Sequence, residues 1–154
     1  MLAAIRPDSV NVPLFLHVLG AMVLVGALAT AALVLILGWR RDAAAWTRLA
    51  FRTLLFAALP AYIVMRVGAQ WTYSREHLDA GGDDPTWVGI GFITSDAGAL
   101  LLLISLLLTG LAARKLRRNA EAGTSTLGRI GGAITVLLLA VYVVAIWAMT
   151  TKPR

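Results

Sequence analysis

Four long apolar runs, separated by short charged stretches, leave this chain few ways to fold. About 20 apolar residues cross the hydrocarbon core of a bilayer as one helix. No water reaches that core to satisfy peptide N–H and C=O groups, so a spanning segment must be a helix or part of a closed barrel. The runs lie at about 13–39, 49–73, 88–113 and 130–150 and are much longer than barrel strands. Only 14% of the 154 residues are charged, against about a quarter in a soluble domain, and most of those charges fall between the runs. The mean hydropathy is +0.79. The expectation is an all-α fold: one integral membrane domain over 1–154, an antiparallel up-down four-helix bundle.

Charge placement orients the bundle. Lys and Arg concentrate in the connections 40–48 and 114–129, while 74–87 holds Glu76, Asp79, Asp83 and Asp84 against a single Arg75. An excess of Lys and Arg in short loops marks the cytoplasmic side. Loops 40–48 and 114–129 are therefore expected inside, with 74–87 and both termini outside, in a bacterial inner (plasma) membrane. Lys152 and Arg154 run against this but are fewer. The net charge of +6 sits beside span ends, so it points to insertion and anionic lipid rather than to nucleic acid. Ala29, Thr30 and Ala31 faintly resemble a signal-peptide cleavage site, but the apolar run continues well past them. The chain has no cysteine, which excludes disulfides, iron–sulfur clusters and thiolate metal sites.

Local signals punctuate the spans. Pro13 suits a first helical turn with Asn11 as a nearby cap, and Pro60 predicts a kink in the second span. Thr94, Ser95 and Asp96 form a good N-cap, so the third helix starts either at Val88 or at Ala97. Small residues mark contact faces in membranes. Gly20, Ala27, Ala31 and Gly38 share one side of the first span. Gly91, Gly98, Ser105 and Ala112 recur every seventh residue in the third, and Gly128, Gly131, Thr135 and Tyr142 align in the fourth.

Tyr62, Arg66, Gln70 and Tyr73 recur at helical spacing on one face of the second span. With both termini outside, Arg66 lies roughly 10 Å below the outer surface. His17, Asp96 and Tyr142 fall in the same half of the bilayer, which predicts an outer-leaflet polar cluster. Two readings of each residue stay open. Arg66 either holds an anionic ligand and couples to a proton through Asp96, or it forms a structural pair with Asp96 or snorkels outward along Gln70. Asp96 is also explained as a helix cap. His17 either ligates haem iron or relays protons, or it is a neutral histidine bonded to a backbone carbonyl or to Tyr142. Tyr62 and Tyr142 either bond a quinone carbonyl or bond the protein. Trp71, Tyr73, Trp87 and Trp147 fit an outer aromatic belt, and Trp39 and Trp46 an inner one.

There is no phosphate-binding lysine loop, no HExxH and no G-x-S-x-G elbow, so no motif argues for an enzyme. The stretch LFLHVLGAMVLVG, 14–26, resembles the first helix of small four- or five-span bacterial membrane proteins. These include an uncharacterised predicted integral membrane family, copper-resistance CopD-like domains and HemJ-type protoporphyrinogen oxidases. His17, Gly20 and Gly26 carry the match, with Leu24 where those families place an aromatic. The tail WAMTTKP also resembles the uncharacterised group. The HemJ-type resemblance implies haem b on His17, but its lysine partner has no counterpart here, since Lys115 and Lys152 both lie outside the spans.

Three functional expectations follow. The first is a non-enzymatic membrane component that packs with itself or with a larger complex. The second is a haem or quinone binder in the outer half, using His17, Tyr62, Arg66, Gln70 and Tyr142. The third is a small transporter using Arg66 and Asp96.

Overall fold

The computed structural model describes residues 8–39, 43–75, 86–118 and 125–151, with backbone alone at 8–10 and 86–88. The acidic connection with His77, the arginines at 40 and 41, residues 119–124, the tail lysine and arginine, and the Trp87 side chain lie outside the described residues and side chains.

Every described element is helical, and four helices are long and apolar enough to cross a membrane. We label them α1 (Asp8–Gly38), α2 (Ala43–Arg75), α3 (Thr86–Arg118) and α4 (Thr126–Thr151). Each runs past its expected span. The helix is already under way at Asp8, so Pro13 lies inside α1 rather than opening it, and Asn11 is helical rather than a cap. Pro13 is the sixth residue of α1, past the first four donors, so its missing N–H leaves the Ser9 carbonyl without the usual partner four residues on. Arg48, expected in the loop 40–48, lies within α2, one turn before Arg52. α3 passes unbroken through Thr94, Ser95 and Asp96, so the start at Ala97 is not used. α4 begins earlier than expected: the Ser125 hydroxyl accepts the Gly128 N–H at 3.2 Å, an N-cap the sequence reading overlooked.

Pro60 acts through the turn before it. Residues Leu54–Ala58 form a π-turn in which Leu59 N–H reaches back to the Leu54 carbonyl. In an α-helix the proline ring collides with the carbonyl four residues back. Widening the preceding turn relieves that collision without ending the helix.

The helices close in a ring of contacts, α1 to α2, α2 to α3, α3 to α4 and α4 to α1. The small-residue seams lie within it. A Cβ on Gly20 would stand 2.5 Å from the Met65 nitrogen, and one on Gly68 would stand 2.5 Å from the His17 nitrogen. α1 and α2 thus cross backbone to backbone. On α3 every residue of the seven-residue seam meets α4: Gly91 at Met149, Gly98 at Tyr142, Ser105 at Thr135 and Ala112 at Gly128. A wholly buried layer of Leu24, Leu28, Leu54, Leu102 and Leu138 fills the centre.

In the α3–α4 seam the polar side chains satisfy one another. Ser105 Oγ lies 2.6 Å from Thr135 Oγ1 and also donates toward the Gly131 carbonyl at 3.2 Å. Thr109 and Thr135 bond carbonyls four residues back at 2.7 and 2.8 Å. Buried hydroxyls with such partners carry no desolvation penalty and need no ligand.

Candidate functional site

The polar residues singled out from the sequence divide into three groups. The first bridges α2 and α3. Arg66 Nη2 lies 2.9 Å from Asp96 Oδ1, and its guanidinium stacks over the Phe92 ring at 5.1 Å. Tyr73 meets the same ring edge-on, with centroids 5.3 Å apart. One turn deeper, Tyr62 Oη donates to the Ser95 carbonyl at 3.2 Å. The Arg66 side chain is 30% exposed and that of Asp96 67%, so the pair stands at the rim of the bundle rather than in its core. The C-terminal half of α2 touches α3 much less than its N-terminal half does. At this level the two helices are held together mainly by these polar and aromatic ties.

The second group is His17 at the α1–α2 crossing. Its Nδ1 lies 3.0 Å from the Met65 carbonyl. A carbonyl only accepts, so Nδ1 is the donor of this bond. His17 is thus bonded to a backbone carbonyl rather than to Tyr142. Backbones in contact at Gly20–Met65 and at Gly68–His17 leave no slot for a macrocycle between α1 and α2. An interior haem on His17 therefore does not fit this crossing. Among the described residues no three His, Cys, Asp or Glu side chains converge to hold a metal ion.

The third group is Tyr142, buried between α3 and α4, with its hydroxyl against Gly98. It packs in one apolar cluster with Met65 and Tyr62. Of the six expected residues, Tyr62, Arg66 and Asp96 come together, and Tyr142 lies behind them. His17 sits on the opposite flank of α2, and Gln70 is exposed on the surface. Sequence reasoning missed Phe92, Ser95, Gly68 and the Met65 carbonyl. Gly68 left a usable signal as the only glycine of the second span, whereas a backbone acceptor leaves none.

Fold and site together define a class: four helices with the length and apolar character of membrane spans, as in a small multi-pass membrane protein. No family model, curated protein or solved structure matches the chain.

Proposed function

We propose that this is a non-enzymatic component of the bacterial inner membrane that packs, through the lipid-facing side of α1, against a second copy or a larger membrane complex. The observation that carries this reading is Gly26. Most glycines of the bundle sit against a neighbouring helix, whereas nothing lies within 4 Å of a Cβ placed on Gly26 in the middle of α1, or on Gly89 near the start of α3. Ala29 and Thr30 are exposed beside it, and the Thr30 hydroxyl turns back to the Gly26 carbonyl at 2.8 Å. Helix association in lipid rests on close backbone approach at such small-residue notches. The outer-half polar groups support the same reading, since Arg66, Asp96, Tyr62 and His17 serve as ties between helices. The resemblance at 14–26 to the uncharacterised integral membrane group agrees with it.

The test is the native mass in mild detergent. Gly26→Leu fills the notch without touching the bundle, so the monomer's fold should be kept or slightly stabilised while dimer or partner recovery falls at least tenfold. A wild-type chain that is monomeric and partnerless across detergents would sink the reading.

In the same proposal the bundle runs antiparallel and up-down, with both termini and the connection 74–87 outside and the basic connections 40–48 and 114–129 cytoplasmic. The lack of native cysteine gives background-free labelling. A single cysteine at Ser74 should react with an impermeant maleimide in intact spheroplasts, and one at Ser125 only after lysis. The reverse pattern would invert the topology.

A further inference from the structure

Two buried hydroxyls stand apart from the rest. Ser95 Oγ and Tyr142 Oη are sealed from solvent and have no hydrogen-bond partner among the described residues. Ser95 is 7% exposed and Tyr142 5%. Thr30, Thr53, Thr72, Thr109 and Thr135 all return their hydroxyls to the carbonyl four residues back, but Ser95 does not. Lower on the same pair of helices, Ser105 and Thr135 bond each other directly at 2.6 Å. An unpaired hydroxyl buried in a dry interior is destabilising, because its hydrogen bonds to water are lost and not replaced.

The two oxygens face one region. Tyr142 Oη lies 2.5 Å from the Cβ position of Gly98, which is one helical turn beyond Ser95. Side chains three apart on a helix have Cβ atoms about 5–6 Å apart, so the two hydroxyls stand within reach of one bridging molecule. A third group borders the same turn: Tyr62 Oη, which gives its proton to the Ser95 carbonyl and keeps its lone pairs. Two donors and one acceptor match what a buried water requires, two to four polar partners.

We infer that Ser95, Tyr142 and Tyr62 bind a single internal water between α2, α3 and α4, closed off from the solvent outside. The leucine layer of Leu24, Leu28, Leu54, Leu102 and Leu138 lies beyond it and offers no polar group.

A double-mutant cycle tests this with shape-preserving changes. Tyr142→Phe and Ser95→Ala each remove one hydroxyl. If the two share a bound water, each single variant lowers the unfolding midpoint in detergent. The double variant then falls no further than the worse single, because one loss already releases the water. Ser95→Ala is the more telling of the two, since alanine is the better helix former and would otherwise raise the midpoint. Single variants that are neutral or more stable than wild type overturn the inference, because the hydroxyls would then be dry. Strictly additive losses overturn it as well. An experimental density map offers an independent check: a peak within hydrogen-bond distance of both oxygens supports the site, and apolar void there refutes it.

Discussion

Replacing Gly20 or Gly68 by alanine should force α1 and α2 apart and cost more stability than any other single methyl group added to this chain. The added carbon would lie 2.5 Å from the Met65 nitrogen in the first case and 2.5 Å from the His17 nitrogen in the second. These obstructions are backbone atoms inside continuous helices, so no rotamer change relieves them. Overpacking of this kind costs about 1–3 kcal/mol even where side chains can shift, and here whole helices must move. The His17–Met65 hydrogen bond sits inside the same crossing and should be lost with it. Because one separation accommodates both carbons, the double variant should cost little more than the worse single one. Gly26→Ala is the internal control. No atom stands near its Cβ position, so it should be neutral or stabilising, by up to about 1 kcal/mol from helix propensity. Unfolding midpoints of the four variants in one detergent decide the matter. Equal behaviour of Gly20→Ala and Gly26→Ala would show that the crossing is not a tight contact.

This pattern of glycines shows what a membrane sequence reveals and what it withholds. Lipid tails are as apolar as leucine, so burial leaves no hydrophobic stripe to read, and small residues become the informative ones. That is why Gly20, Ala27, Ala31 and Gly38 could be placed inward from sequence alone, and why the Gly91–Ala112 repeat could be placed at an interface. The partner of each seam was not legible, because a glycine records that something approaches and not what does.

The polar face of α2 was legible in part. At about 100° per residue, Arg66 drifts about 40° from Tyr62 and Gln70 about 80°, whereas Tyr73 returns to about 20°. The structure follows this drift: Tyr73 meets Phe92 beside Arg66, and Gln70 points out to the surface. Helix limits were the least legible part. Charged turns such as Arg114 to Arg118 continue α3 beyond its apolar run, and composition alone does not mark where winding stops.

The Arg66–Asp96 pair should respond asymmetrically to the loss of either member. Asp96 is 67% exposed at the rim, so in Arg66→Ala the abandoned carboxylate can turn to water and headgroups. Arg66 is 30% exposed and held over Phe92, so in Asp96→Ala the abandoned guanidinium keeps a desolvated position without its counter-charge. Losing one member of a fully buried pair costs about 3–5 kcal/mol, and exposed pairs contribute about 0–1. A half-buried pair falls between these limits, which places Asp96→Ala near ~2 kcal/mol and Arg66→Ala near ~1. Replacing both by apolar residues of similar size, Arg66→Met with Asp96→Leu, should recover most of the loss, because no stranded charge remains. In this account the pair is a tie between α2 and α3 where those helices otherwise barely touch. A carrier that used the same two charges would instead lose flux in the apolar double variant while folding normally. Unfolding midpoints together with counterflow in proteoliposomes separate the two roles. A larger loss for Arg66→Ala than for Asp96→Ala would mean that the carboxylate, not the guanidinium, is the dependent partner.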